Sequence, residues 1–126
     1  MRDLILPWPS RDLHPNARVH WSRRARAAKS ARRAADALAR EAGWCRMELP
    51  AGRLHLWIDA YPPDRRRRDT DGVLSSLKSA LDGIADALGV DDRRFVPHPF
   101  LHDEPRNGGE IRIRITAGEA PCSPNP

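Results

Sequence analysis

Two apolar periodicities alternate along this chain, and their order restricts the folds that it can adopt. From Arg53 to Tyr61 the apolar residues occupy every second position, which is typical of a strand. From Asp71 to Leu88 they recur every three or four residues instead, which predicts a helix that ends at Gly89. A strand followed by a helix of this length favours a domain in which helices pack on a sheet.

The N-terminal part of the chain repeats this alternation. Leu4–Leu6 is predicted to be a short strand that Pro7 ends. Residues 22–42 are rich in alanine and arginine and predict a helix that ends at Gly43. The small apolar residues of this helix form one narrow stripe suited to close packing on a sheet, made of Ala28, Ala31, Ala35, Leu38 and Ala42.

The C-terminal part adds two strands. Residues 93–101 predict a third strand, irregular because it contains prolines, and residues 110–116 alternate strictly and predict a fourth. The predicted order is β-α-β-α-β-β, an α/β (α+β) single small domain with two helices packed on a small mixed sheet. We assign this domain to residues 1–117 and expect the proline-rich residues 118–126 to be a disordered tail.

The charge balance permits a nucleic-acid partner. The 126 residues suit one domain, and they include 22 basic against 17 acidic residues, for a formal net charge of +5. Only Lys29 and Lys78 are lysines, so the positive charge is almost entirely guanidinium. A guanidinium group donates two parallel hydrogen bonds to a phosphate, which suits a nucleic-acid backbone. Composition alone does not establish that partner.

Cysteine usage and hydropathy predict a cytoplasmic protein without a membrane segment. Cys45 and Cys122 are two isolated thiols that form neither a disulfide framework nor a CxxC metal motif, which fits a reducing compartment. The longest apolar stretches are only a few residues, so we expect no transmembrane helix. Pro7 and Pro9 interrupt the apolar start of the chain, which argues against a signal peptide.

Three aspartates are candidate ligands for a hard divalent cation. Asp69 and Asp71 are two residues apart in a segment that we expect to be extended, so both side chains can point the same way. Asp92 follows the second helix and reaches the first pair only if the third strand returns along that helix. Clustered carboxylates without histidine or cysteine at metal spacing favour Mg²⁺, with Mn²⁺ as the alternative, and make zinc improbable.

Lys78 has two possible roles. On a regular helix it shares one edge with Asp71 and Asp82, and its side chain leans towards the N-terminus, so it can reach the carboxylates and neutralise a phosphoryl oxygen. Alternatively, it is an ordinary exposed lysine paired with Asp82, one turn further on.

Basic and aromatic residues add candidate DNA contacts. The run Arg65, Arg66, Arg67 and Arg68 directly precedes the carboxylates and could hold a phosphate backbone beside a metal. On the first helix, a basic face that includes Arg26, Lys29 and Arg33 is either a solvated surface or a phosphate-contacting one. Trp8 and Trp21 could stack on an opened base, although packing in the core or an interface is the more common use of tryptophan.

The segment PPDRRRRDTD, residues 62–71, resembles the RusA family of Holliday-junction resolvases, small endonucleases often carried by prophages. The resemblance covers most of the chain: Leu6–Ser10, the loop around Pro15–Asn16, Trp21, this segment, the lysine-bearing helix, Asp91–Asp92 and a closing hairpin that ends in Ile111–Ile115. It implies a dimeric, Mg²⁺-dependent nuclease that resolves four-way junctions by paired phosphodiester hydrolysis. By motif, Asp69, Asp71 and Asp92 match the family's metal-binding carboxylates, and Lys78 matches its catalytic helix lysine.

Two departures from the family pattern keep alternatives open. Lys78 lies three residues beyond the family's common lysine position, and the following segment Leu81–Gly83 is displaced by the same three residues. An insertion of one helical turn explains both displacements, and this arrangement is typical of a longer-helix branch of the family. Gly72 replaces the usual asparagine, which leaves a catalytically weakened or inactive junction-binding prophage protein as the alternative.

Two further classes are compatible with parts of the sequence. The run from Asp69 to Leu74 imitates the signature of haloacid-dehalogenase-type phosphatases, but that chemistry requires a buried apolar strand before the first aspartate, where this chain has four arginines. Lastly, the aspartates and arginines could be surface ion pairs of an interaction protein without catalytic activity.

Overall fold

The strands and helices follow the predicted order closely. The computed structural model describes residues 3–118, and in this part of the chain it contains β1 (Leu4–Leu6), α1 (Trp21–Glu41), β2 (Leu54–Tyr61), α2 (Thr70–Ser76), α3 (Lys78–Leu88), β3 (Phe95–Leu101) and β4 (Glu110–Ala117). Short 3-10 helices precede α1, follow it and precede β3. The α+β class is therefore confirmed, with three helices in place of the two expected.

The third helix arises because the predicted helix of residues 71–88 is divided at Leu77. The backbone of Leu77 leaves the regular helical geometry, with φ −90° and ψ −5°. Immediately before it, the Ser76 hydroxyl donates a hydrogen bond of 2.9 Å to the carbonyl of Gly72, an interaction that commonly bends helices. The Leu77 side chain is fully buried in the core.

The four strands form one mixed sheet in the order β1-β4-β2-β3. β2 and β3 are parallel and are joined by α2 and α3, whereas β4 runs antiparallel to both β2 and β1. The expectation of a hairpin closed by β4 is wrong, because β4 pairs on the far side of β2 from β3. Pro97 and Pro99 lack the backbone N–H groups that an inner strand needs, which confines β3 to the edge.

One face of the sheet carries the hydrophobic core beneath all three helices. Its strand residues are Leu4, Leu6, Leu54, Leu56, Ile58, Ala60, Ile111, Ile113 and Ile115. The face predicted for residues 53–61 is thus confirmed. α1 packs mainly against α3 rather than on the sheet, and the two helices approach closely at Gly83, where a Cβ atom would overlap the carbonyl oxygen of Arg32. The small residues of α1, which were predicted to allow close packing on a sheet, instead allow close packing between α1 and α3.

The opposite face is covered largely by its own stacked rings, which the alternating pattern did not predict. Trp57 stacks on His98 with 4.0 Å between ring centroids and donates its indole N–H to the Thr116 hydroxyl at 2.8 Å. The His55 ring bonds the carbonyl oxygen of Gly118 and the ring of His98, each at 2.8 Å. Burial, and secondarily the neighbouring His55, lower the pKa of His98, which favours the neutral form of the His98 ring.

Two expectations concern the remaining parts of the chain. In the part that the structure describes, no helix has both the length and the apolar character that crossing a bilayer requires. The tail predicted for residues 118–126 lies outside the described residues apart from Gly118, whose N–H donates to the carbonyl of Arg53. Cys122 belongs to the same undescribed segment, and Cys45 is an exposed free thiol.

Candidate functional site

The aspartate pair lies where the chain enters α2. Asp69 is the N-cap residue, and its Oδ1 accepts a hydrogen bond of 3.0 Å from the Gly72 amide. Asp71 lies in the first helical turn. The expected extended conformation is therefore confirmed for Asp69, with φ −113° and ψ 153°, and wrong for Asp71, because the helix begins at Thr70. Both carboxylates are exposed, and neither forms an ion pair with any residue described.

His14 reaches the same place from the N-terminal loop. Its imidazole lies so close to Gly72 that a Cβ atom there would be 2.9 Å from Nε2, and the same Cβ would overlap Asp69 Oδ1. On the other side of the ring, Nδ1 accepts a hydrogen bond of 3.1 Å from the Asn16 amide. Sequence reasoning assigned no role to His14, because the 55 residues that separate it from Asp69 give no spacing signal.

These groups line an open cleft of about 700 Å³ beside the start of α2. Asp69 and His14 face it together with Trp8, Arg68 and Arg23, whereas Asp71 lies outside it on the exposed turn. Arg23 is itself paired with Asp12 at 2.9 Å. The cleft thus combines one free carboxylate, one imidazole and basic side chains, a composition suited to a phosphate ester.

The arginine run divides into structural and free members. Arg68 is half-buried, bonds Asp64 at 2.9 Å and lies over the Trp8 ring at 5.4 Å. Its hydrogen bond to Asp64 holds the pKa of that carboxyl below the usual range. Arg66 approaches Asp64 at 3.8 Å. Arg65 and Arg67 are exposed and, among the described residues, make no ion pair, so they are the members of the run available to a phosphate backbone.

The basic face of α1 is also available. Arg26, Lys29 and Arg33 are exposed and have no ion-pair partner in the described part of the chain. Other arginines of the same helix are engaged, since Arg32 bonds Asp86 at 2.7 Å and Arg40 bonds Asp36 at 2.7 Å. Trp21, at the start of α1, is 75% exposed, so the described chain gives it no core packing.

Asp92 lies at the other end of the α2–α3 segment. It begins the turn before β3, whose Phe95 pairs with Leu54 at the start of β2, while Asp69 follows the end of β2. β3 returns along the sheet only after Asp92, and the 19 residues of the segment between span roughly 28 Å at 1.5 Å per residue. The condition for Asp92 to meet the pair within one chain is therefore not met, and no group of three metal-ligating side chains is present among the described residues.

Asp92 contacts Asp82 instead. Burial, followed by the hydrogen bond and charge of Asp92, raises the pKa of the Asp82 carboxyl, while Arg32 and Lys78 oppose this effect. Lys78 begins α3 and is exposed. Because α2 ends at Ser76 and Lys78 begins α3, Lys78 and Asp71 lie on two successive helices rather than one, and the charge of Lys78 acts to lower the pKa of Asp82.

Comparisons with known proteins identify a relative of this chain. No family model matches the chain. It is 57% identical over 117 residues to an uncharacterized protein of Xylella fastidiosa (strain Temecula1 / ATCC 700964), an alignment that covers 92% of this chain and 76% of the relative. Identity at this level over most of both chains means a shared fold and common descent. The chain therefore belongs to the same family as this Xylella fastidiosa protein.

Proposed function

We propose that the protein is a metal-dependent endonuclease that cleaves four-way DNA junctions. The observation that carries the proposal is the start of α2, where the unpaired carboxylates of Asp69 and Asp71 follow the unpaired guanidinium groups of Arg65 and Arg67 within a few residues. Cleaving a phosphodiester requires groups that bind the anionic backbone beside groups that bind a cation. This short segment offers both, and it is the segment on which the resemblance to the RusA family rests.

Asp69 and Asp71 are the residues that would hold Mg²⁺ or Mn²⁺. Mg²⁺ is commonly bound through one or two carboxylates, with water and substrate phosphates completing the coordination, so two exposed aspartates fit it without a third protein ligand. The bound ion would supply positive charge to the scissile phosphate and acidify a water molecule. Asp69 Oδ1 already accepts the Gly72 amide, which fixes the side chain and leaves Oδ2 as its free oxygen.

The chain's basic residues would position the DNA. Arg65 and Arg67 bind phosphates next to the carboxylates, and Arg26, Lys29 and Arg33 extend the contact along α1. Arg68 supports the loop from within, through Asp64 and Trp8. Phosphate contacts of this kind give affinity and orientation without reading base sequence. Recognition of a branched substrate by its shape is compatible with such a surface.

A role for Asp92 at this site requires a second copy of the chain, because within one chain it lies at the far end of α2–α3. We therefore propose a homodimer in which Asp92 of one copy serves the pair of the other. A twofold dimer would also present two equivalent sites to the two strands of a symmetric junction. As a DNA-processing enzyme, the protein would act in the cytoplasm.

The proposal is tested with a fluorescently labelled mobile four-way junction and a linear duplex of the same sequence, in Mg²⁺ at low salt. We expect paired nicks in the junction alone, and none with Asp71→Asn. The matched control is Asp86→Asn, which removes a carboxylate that is already paired with Arg32 and should leave nicking unchanged. Cleavage of both substrates, or equal activity of the two variants, would contradict the proposal.

The composite site has its own test. Asp69→Asn and Asp92→Asn chains are each expected to be inactive alone. When the two are mixed and allowed to exchange subunits, half of the sites in a mixed dimer carry both native carboxylates, so single-strand nicking returns. If mixing restores nothing while each variant still dimerises, Asp92 does not act across the dimer.

Two alternatives have distinct outcomes. Junction binding without nicks in Mg²⁺ or Mn²⁺ would identify a binding protein that has lost catalysis. A phosphatase of the haloacid-dehalogenase type is not favoured by the geometry, because Asp69 follows a loop of seven residues after β2 and caps a helix. Hydrolysis of a small phosphate monoester would nevertheless support it.

A further inference from the structure

We infer that His14 is a substrate-contacting residue, whose imidazole Nε2–H donates a hydrogen bond to a non-bridging phosphate oxygen in the cleft beside Asp69. This inference rests on the proposed function and adds a residue that the resemblance does not supply. It depends on three observations: the hydrogen bond to Nδ1, an Nε2 without a partner among the described residues on a ring that lines the cleft, and the glycine against which that nitrogen lies.

The hydrogen bond to Nδ1 determines the tautomer. The Asn16 backbone amide can only donate, so Nδ1, at 3.1 Å, must carry a lone pair. In the neutral ring the proton is therefore on Nε2. Among the described residues Nε2 has no hydrogen-bond partner, and His14 lines the cleft with Asp69. The ring that lines the cleft thus carries a donor without a partner among the described residues, and coordinating a metal through Nε2 would require losing the Asn16 bond.

The loop that carries the ring is held by α1. The His14 carbonyl accepts a hydrogen bond of 3.2 Å from Arg24 Nη1 and another of 3.0 Å from the Ala17 amide. Arg24 Nη2 also donates to the Ala17 carbonyl at 2.8 Å. These bonds fix the turn before substrate arrives, so a donor placed on it needs little reorganisation to meet a developing charge.

Gly72 is explained by the same geometry. Its φ is not positive, so the backbone does not require glycine. A Cβ atom would instead approach Nε2 of His14 to 2.9 Å and overlap the Asp69 carboxylate. Both of these neighbours are side-chain ends that can move, so a larger residue at position 72 would displace the imidazole and the carboxylate without preventing folding. Glycine at position 72 therefore leaves room for both His14 and Asp69. The replacement of the family's asparagine by Gly72 is thus a feature of this site.

The test compares variants that keep or remove the donor. His14→Gln retains an N–H group of similar reach, whereas His14→Ala removes it and Gly72→Ala displaces it. We expect His14→Ala and Gly72→Ala to nick the junction about 100-fold more slowly, the usual loss for one preorganised donor, and His14→Gln to retain most of the rate. Unfolding temperatures should change little in all three.

Gly83→Ala is the matched control for the glycine. Its new Cβ would overlap backbone of α1, so we expect a lower unfolding temperature but an unchanged nicking rate for the folded protein. The inference is overturned if His14→Ala nicks as fast as the native chain, or if His14→Gln is as slow as His14→Ala.

Metal-free junction binding separates this inference from the proposed function. If the native chain does not nick at all, the proposed function fails, and His14 is then judged by affinity in EDTA. One hydrogen bond to a charged phosphate oxygen corresponds to roughly a 10- to 100-fold loss of affinity in His14→Ala, with His14→Gln close to native. Equal affinities for all three chains would overturn the contact.

Discussion

The near end of the α2–α3 segment, at Asp69, and its far end, at Asp92, both carry aspartates, but only at the far end are some of them paired with arginines. There Arg32 bonds Asp86 through both guanidinium branches, at 2.7 and 2.9 Å, and Arg93 pairs with Asp91 at 2.9 Å. At the near end Asp69 and Asp71 have no such partner among the described residues, although four arginines precede them. This absence of partners, rather than the number of carboxylates, is the reason that we propose the site at the start of α2.

The largest difference between the ends should be in catalysis. Asp69→Asn keeps an N-cap that can accept the Gly72 amide, so the fold should persist while one candidate metal ligand is lost. We expect nicking to fall by at least about 100-fold. Asp86→Asn, at the paired end, should change nicking less than twofold and lower the unfolding temperature by only about 1–3 °C, because exposed pairs contribute little. Equal losses of activity would remove the distinction between the ends.

Substitutions of unpaired arginines and of paired arginines should have different effects on DNA affinity. Arg65→Gln/Arg67→Gln removes two unpaired charges, so junction affinity should fall by about 10-fold at low salt. The slope of log affinity against log salt should also become shallower by about two, since two phosphate contacts are lost. Arg32→Gln removes a paired charge and should leave the slope unchanged. Binding measured by fluorescence anisotropy at several salt concentrations distinguishes these outcomes.

Metal binding should stabilise the folded protein only through Asp69 and Asp71 at the near end. In the native chain, Mg²⁺ well above its dissociation constant should raise the unfolding temperature by a few degrees, because it binds the folded state alone. Asp69→Asn/Asp71→Asn should lose this shift and, without metal, melt at the native temperature or slightly higher, since two like charges are removed. If the aspartates were ion pairs only, the double variant would respond to Mg²⁺ as the native chain does.

The smallest expected effect is a pH dependence at the far end. Burial and the neighbouring Asp92 raise the pKa of Asp82 in the folded state. The contribution of Asp82 to the free energy of unfolding is therefore fully present below its unfolded pKa, near 4, and is lost as pH rises through its folded pKa. Asp82→Asn should therefore stabilise the protein slightly at pH 7, and the gain should vanish below about pH 4.

The neighbouring Asp91 has the opposite effect on how stability depends on pH. Its bonds to Arg93 lower its pKa to about 2, so its contribution is present above the unfolded value and is lost as pH falls towards 2. Asp91→Asn should accordingly be less stable than the native chain at pH 7 and equal to it near pH 2. Urea unfolding at several pH values, with the two variants in parallel, should give differences of opposite sign at neutral pH.

Local periodicity was sufficient for most of the fold. Strand alternation and helical spacing predicted every long element, because each buries one face and its apolar residues record that face. The bend at Leu77 and the position of β4 were not predicted. The first depends on where the Ser76 hydroxyl finds an acceptor, and the second on how strands meet across the sheet; neither leaves a periodic signal.

The candidate site was predictable only where it is contiguous in sequence. The arginine run and the Asp69–Asp71 pair are neighbours along the chain, so their proximity needs no knowledge of the fold. His14 joins them through a loop held by Arg24, and Asp92 is carried away by α3; both depend on tertiary structure. The sequence analysis interprets Gly72 only as a sign of weakened catalysis, and its closeness to His14 and Asp69 is visible only in the folded chain.

The prolines of β3 have a consequence for how this sheet behaves among other chains. An edge strand with free N–H groups is a template on which foreign strands can pair and aggregate. Pro97 and Pro99 remove two of those donors from one edge, and on the other edge β1 is only three residues long and is followed by Pro7. Sheet growth is therefore blocked on both sides, and a partner that joins this protein is restricted to its helices, loops and exposed sheet face.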